Sequence, residues 1–169
     1  MERGRLADVA PLLALRDQAA RDLSARGIDQ WRPGEIPAAA LECRIDAGEV
    51  WVVRAGGAIT GTVIVQWEDT FVWGDADGSD GSAGYIHFLI TDRKRAPRGV
   101  GAQILAWAED QIARRGRRLA RLDCVAASVR LRSYYETAGY HFLRTVEFAE
   151  TTWHPAALFE KALTRAGPG

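Results

Sequence analysis

The chain has 169 residues, 47% of them hydrophobic, and its 22 basic and 22 acidic side chains cancel. That length fits one domain over 1–169 with a proper core, and the balanced charge excludes a general nucleic-acid binder. No signal-peptide pattern opens the sequence and no run approaches ~18 apolar residues, which points to a soluble, cytoplasmic protein with no membrane partner.

Leu6 to Arg26 carries helical periodicity: Leu6, Val9, Leu12, Leu13, Ala19, Ala20 and Leu23 recur at helical spacing, and Gly27 is placed to end the run. Only five residues precede it, little room for a first strand and consistent with a clipped start. Ile28 to Gly34 reads as a loop and Ile36 to Ala47 as a second helix. Val50–Val53 and Ile59–Trp67 read as strands joined by Ala55-Gly56-Gly57, a hairpin turn. Glu68 to Trp73 extends them. Gly74 to Gly84 is a solvated loop whose glycine and acid positions do not match a calcium loop.

Tyr85 to Thr91 is the next strand, and Val100 to Ala113 the strongest helix, with Val100, Ile104, Trp107, Ala108 and Ile112 on one face. Arg114 to Arg118 is a cationic helix end, favourable to the helix dipole. Leu119 to Ala126 is apolar except for Arg121 and Asp123, as in an interior strand. Val129 to Ala138 is a short helix closed by Gly139. Strands near Tyr140–Val146 and Ala156–Lys161 finish a mixed α/β sheet, in which Tyr85–Thr91, its helix and Leu119–Ala126 form a right-handed βαβ unit.

The most informative stretch is Tyr85 to Ala102. A strand ends at Thr91, a basic loop with Arg93, Lys94, Arg95 and Arg98 follows, and Gly99-Val100-Gly101 opens a helix. Glycines let backbone approach an anion, and the first helical N–H groups lack internal acceptors, so this pattern is a phosphate pocket.

The hexad Ala96-Pro97-Arg98-Gly99-Val100-Gly101, with the later segment Ser128 to Tyr140 containing Tyr135 and Gly139, resembles the GCN5-related N-acetyltransferase (GNAT) superfamily. The resemblance covers nearly the whole chain and is densest from Tyr85 to Tyr140. It implies a mixed, mostly antiparallel sheet with a central splayed parallel strand pair and flanking helices. It implies an enzyme that moves an acetyl or other acyl group from acyl-CoA to an amine of a small molecule or peptide, by direct attack on the thioester, as monomer or homodimer. Acetyl-CoA would serve as acyl donor, with no metal. Its pyrophosphate would sit on Arg98, Gly99, Val100, Gly101 and Ala102. Its pantetheine arm would pair with Leu89, Ile90 and Thr91, where backbone N–H near Leu89 or Ile90 would polarise the carbonyl. Ser128 stands where the family commonly has Asn, and Tyr135 where it has the acid that protonates the departing thiolate.

Ala96 stands where the family has Gln or Arg, and Pro97, which has no N–H, where it usually has Gly. Fewer phosphate donors fit either looser CoA binding or a phosphopantetheine-bound acyl-carrier protein as donor. A non-catalytic acyl-CoA-binding module is a third reading, against which Tyr135 counts. His87 is a candidate for the proton that the amine loses, and alternation puts it on the strand face of Tyr85, Leu89 and Thr91. Glu68, Asp69, Glu147 and Glu150 are alternatives. His141 and His154 stand in no ligand constellation, and Cys43 and Cys124 fit neither a zinc pattern nor a disulfide framework. Of six tryptophans, Trp51, Trp67 and Trp107 fit packing, while Trp31, Trp73 and Trp153 are candidates for an acceptor wall that favours an apolar or aromatic amine.

Overall fold

The structure is a computed structural model and describes residues 1–28, 30–75, 79–149 and 153–164. Its strands are β1 (Glu2–Arg3), β2 (Val50–Ala55), β3 (Ala58–Gln66), β4 (Ala83–Thr91), β5 (Leu119–Val125), β6 (His141–Val146) and β7 (Ala156–Ala162). Its helices are α1 (Val9–Ser24), α2 (Ala38–Asp46), α3 (Thr70–Trp73), α4 (Val100–Arg114) and α5 (Val129–Thr137). The strands form one mixed, mostly antiparallel sheet in the order β1-β2-β3-β4-β5-β7-β6, in which β4 and β5 are the parallel pair. Among the described residues, no helix is long and apolar enough to cross a membrane.

The chain divides into two compact units, Met1–Val65 with Phe88–Trp107, and Gln66–His87 with Ala108–Gly169. In the first unit, β1 pairs antiparallel with β2, so the few residues before the first helix do supply a short strand. The β2–β3 hairpin turns at Gly56 and Gly57, both at positive φ, as a tight turn between twisted strands requires. The expected first helix is a 3-10 turn at Leu6–Asp8 followed by α1. Helix α2 begins at Ala38 rather than Ile36, because Pro37 is extended at ψ 145 and its ring disfavours a helical Ile36. Val9 and Leu12 of α1, Leu41 and Ile45 of α2, and Val50, Val52, Ile59 and Ile64 of the hairpin make the core. On β3, a side chain at Gly61 would come within 2.6 Å of Ile104 Cδ1, so the bare backbone is what lets the first half of α4 lie close to the strand. Trp51 and Trp107 pack together as expected, with ring centroids 4.6 Å apart.

In the second unit, Ala83–Ile86 run parallel to Leu119–Leu122, and β5 pairs antiparallel with β7 along its whole length. Strand β6 completes the unit on β7. Residues 70–73 do not extend the hairpin: Asp69 Oδ1 accepts the Val72 N–H at 3.1 Å and caps one helical turn, a local bond that competes with the strand ladder. Strand β4 starts two residues earlier than expected, at Ala83, and residues 76–78 of the expected loop lie outside the described residues. Arg121, buried in β5, donates to Glu160 Oε2 at 2.7 Å and to the Tyr85 hydroxyl at 3.3 Å, and lies over the Trp73 ring. A lone guanidinium would be costly inside a sheet; these partners are what make it tolerable. Lys161 of β7 donates to Glu109 at 2.7 Å and to the Ala138 carbonyl at 3.0 Å, tying the C-terminal end of α5 to α4.

Candidate active site

The basic loop is organised by one aspartate. Asp92 Oδ1 accepts the N–H groups of Lys94 at 2.9 Å and Arg95 at 3.2 Å, and its carbonyl accepts that of Ala96 at 2.7 Å. Its own N–H donates to the Thr60 carbonyl on β3 at 2.8 Å, which anchors the loop to the sheet. Gly99 then turns at φ +82, a conformation that L side chains avoid, and α4 starts at Val100. The N–H groups of Gly101 and Ala102 fall in the first turn, where no intrahelical acceptor exists. Arg93, Lys94, Arg95, Pro97 and Arg98 are exposed. The result is a helix N-terminus led into by a loop with four exposed cations, a pattern fit for a polyanion.

Strand β4 carries a break that periodicity did not reveal. Phe88 sits at φ +56, the one non-glycine residue at positive φ among those described. A bulky residue there costs about 1–3 kcal/mol and persists only where its surroundings hold it. Trp31 is part of that support, with its ring centroid 6.3 Å from that of Phe88, and Arg16 fixes the Trp31 loop by donating to the Arg32 carbonyl at 2.7 Å and pairing with Glu35. The last parallel pair with β5 is Ile86↔Leu122, two residues before the break. The simple alternation that joined His87 to Leu89 and Thr91 is therefore interrupted. Leu89 and Thr91 are partly exposed and Ile90 is buried.

On α5, Tyr135 is buried and Tyr134 is 36% exposed, as adjacent helical positions should be. The Tyr135 ring packs on Tyr140 and Phe159, at 6.1 and 5.9 Å between centroids. Burial, with the nearby Cys124 and the Asp123 carboxylate, pushes its phenol above the ordinary tyrosine range. It stays protonated and can donate. Ser128 is the N-cap of α5: its Oγ accepts the Leu131 N–H at 3.3 Å, which leaves its own proton to give.

His87 lies between two carboxylates. Its Nε2 is 3.3 Å from Asp69 Oδ2, off-line for a hydrogen bond, and its Nδ1 is 3.5 Å from Asp123 Oδ1. Burial lowers the imidazole pKa, but Asp123 and Asp69 outweigh it and raise it to about 9. At neutral pH the ring is an imidazolium. Asp123 was legible as a charge in an otherwise apolar strand, but its pairing with His87 depends on the β4–β5 register and escaped the sequence reading.

The aromatic candidates separate. Trp73 is core, packed edge-on against Tyr85 and 2% exposed. Trp153 is exposed and meets Phe71 and Phe148, with centroids 5.0 and 5.5 Å away. Glu150 lies outside the described residues. Among the described residues, no group of three His, Cys, Asp or Glu side chains is placed to hold a metal ion. Cys43 is exposed and Cys124 buried, both as free thiols.

Comparison with known proteins gives concordant results. The family model described as "Acetyltransferase (GNAT) family" matches residues 14–140. A curated relative, the uncharacterized N-acetyltransferase YesJ of Bacillus subtilis (strain 168), is 33% identical over 165 residues, covering 93% of this chain and 86% of that protein. A GNAT-family acetyltransferase from Listeria monocytogenes 4b F2365 superposes with a TM-score of 0.74 at 24% identity, over 95% of this chain and 92% of that one. The structure of yncA from Salmonella typhimurium, solved with its cofactor acetyl-CoA, has a TM-score of 0.70 at 14% identity, over 99% of this chain and 95% of that one.

Proposed function

This chain belongs to the GNAT family of acetyltransferases, and from that premise we propose how its own residues carry out N-acetyl transfer from acetyl-CoA to an amine. The observation that carries the reading is the N-terminus of α4, opened by Gly99 at φ +82 and preceded in the chain by the exposed Arg93, Lys94, Arg95 and Arg98. First-turn N–H groups there would meet the pyrophosphate, with Arg98, Gly99, Val100, Gly101 and Ala102 as its seat. The pantetheine arm would run along Leu89, Ile90 and Thr91, beyond the last β4–β5 pair. Backbone N–H near Leu89 or Ile90 would face the thioester carbonyl as it gains negative charge. Ser128 contributes its remaining hydroxyl proton to the donor.

The amine nitrogen forms a bond to the carbonyl carbon, and the C–S bond breaks. The departing sulfur receives the Tyr135 O–H. Because the phenol lies above its usual range, Tyr135 acts foremost as a hydrogen-bond donor, and full transfer is uphill until the phenol regains a proton from water. The proton lost by the amine goes to the neutral form of His87, so that turnover grows as pH approaches about 9. A single domain over 1–169 acting in a reducing, cytoplasmic setting suits two free thiols.

Titration of the purified protein with acetyl-CoA by calorimetry, with phosphopantetheine as control, tests the donor. Binding of acetyl-CoA that the shorter arm does not reproduce supports the pyrophosphate seat, and release of CoA on adding amines supports transfer. Absence of acetyl-CoA binding overturns it. A specific observation favours a second donor: Pro97 offers no N–H and Ala96 no polar group, while the exposed arginines suit an acidic carrier protein bearing one phosphate. Consumption of acetylated carrier protein, with acetyl-CoA ignored, would select that reading.

A further inference from the structure

Loops, not motifs, decide which amine a site of this kind accepts, and two of them meet here in an aromatic surface. Resting on the acyl-transfer reading, we propose that Phe71, Phe148 and Trp153 seat the aromatic body of an arylalkyl amine, the acceptor of the acetyl group.

Phe71 and Trp153 are the two most exposed aromatic side chains among the described residues, at 59% and 53%. The exposure of Phe71 is not for want of a core. The next two residues of the same turn, Val72 and Trp73, are buried. A phenylalanine left in water forgoes about 1.5–3 kcal/mol of burial. Phe148 is half-buried and packs against the core formed by residues such as Val72, Trp73 and Leu158, which fixes it from beneath. Phe71 stacks on it at 5.5 Å between centroids and 7° between planes, and Trp153 stands edge-on to both, 5.0 and 5.5 Å away. Each ring is held by the other two, so the surface is ordered before a ligand arrives and little freedom is lost on binding. The rings touch one another and leave no slot between them. A ligand therefore lies on their outer faces, which suits a flat hydrocarbon ring rather than a caged quaternary ammonium.

The occupant follows from where this surface lies. The pairs Val125↔Ala156 and Val146↔Ala156 bring the C-terminal ends of β5 and β6 together with the start of β7. Phe148 follows the end of β6 and Trp153 precedes β7, so both lie at the C-terminal end of β5. Asp123 is near that same end, with its Oδ1 3.5 Å from His87 Nδ1. Phe71 arrives there by a separate route: its turn is capped by Asp69, whose Oδ2 is 3.3 Å from His87 Nε2. Both parts of the aromatic cluster are thus continuous with the imidazole proposed to take the proton of the amine. An amine that presents its nitrogen to His87 has these rings as the neighbouring apolar surface. Exposed apolar patches that adjoin a reaction centre mark a ligand contact, and rings select a ring.

The test uses the full chain with saturating acetyl-CoA and compares phenethylamine with ethylamine. Both are primary ammonium ions at neutral pH, so charge cancels in the comparison and the ring is what differs. The expected result is a KM for phenethylamine about tenfold or more below that for ethylamine. Phe71→Ala and Trp153→Ala should each shrink that ratio severalfold, whereas a general folding defect would move both KM values together. Phe71→Leu keeps an apolar side chain on the turn and should shrink the ratio as well, because the stacked ring is gone. Calorimetry of phenethylamine with the CoA-loaded protein gives a readout without turnover, and binding should weaken about tenfold in Trp153→Ala. KM values that do not distinguish the two amines, or a ratio equal in native protein and variants, overturn the proposal. So does a native dimer that Phe71→Ala turns into a monomer, which would make the cluster a subunit interface. If phenethylamine binds in a manner that depends on Phe71 and no acetyl transfer occurs, the acyl-transfer reading falls and the aromatic seat stands. If ethylamine is acetylated as readily as phenethylamine, transfer stands and the seat falls.

Discussion

Asp69 Oδ2 lies 3.3 Å from His87 Nε2 while the same carboxylate caps the helical turn Thr70–Trp73, so a single turn of four residues holds a carboxylate against an imidazole on a neighbouring strand. With Asp123 on the other ring nitrogen, the pair changes the pH behaviour of the whole protein.

The His87 pKa is raised from 6.5 to about 9, against burial, by Asp123 and Asp69. A raised folded-state value means that protonated His87 stabilises the fold. The contribution is complete below about pH 6.5 and is lost as pH rises through about 9, to a total of up to about 3 kcal/mol. Urea midpoints should therefore fall between pH 7 and 10 in the native protein. His87→Gln should flatten that slope. An equal slope in both proteins would remove His87 as its source.

Tyr135→Phe keeps the ring that packs on Tyr140 and Phe159 and deletes only the hydroxyl. We expect kcat to fall about 100-fold or more, with acetyl-CoA affinity and thermal midpoint unchanged. Unchanged kcat would take Tyr135 out of the reaction.

Arg98→Ala removes one exposed cation at the N-terminus of α4. If that guanidinium meets a phosphate, acetyl-CoA binding should weaken about tenfold, and the dependence of binding on salt should become shallower. Phosphopantetheine binding should change less. A uniform loss for both would place Arg98 elsewhere.

Arg121→Met leaves Glu160 and the Tyr85 hydroxyl without their 2.7 and 3.3 Å donor in a buried strand. A loss of about 3–5 kcal/mol in unfolding free energy is expected, measured by urea denaturation. The double change Arg121→Met with Glu160→Leu should recover much of it, because the orphaned charge is then gone as well.

Much of the fold was legible because it rests on local rules. Periodicity located α4, the apolar run of β5 marked an interior strand, and Gly56-Gly57 marked the hairpin. The turn at Thr70–Trp73 was missed because a single side-chain bond from Asp69 decides it, and no hydrophobic period announces such a bond. The break at Phe88 was missed because nothing in the residue type prefers φ +56; tertiary packing imposes it. The loop and Tyr135 were visible as motifs. Asp123 was visible only as an oddity, since its approach to His87 depends on the register that pairs Ile86 with Leu122 across two strands distant in the chain.

Strand β7 lies between β5 and β6 and is the last of the three to be synthesised. Until residues 156–162 leave the ribosome, β5 presents an unpaired, apolar edge, and Tyr135 lacks the Phe159 ring beneath it. The nascent chain thus passes through a stage that is both inactive and sticky, exposed to edge-to-edge association. Interruption of translation shortly before Ala156 should yield aggregates and chaperone clients rather than a weakened enzyme.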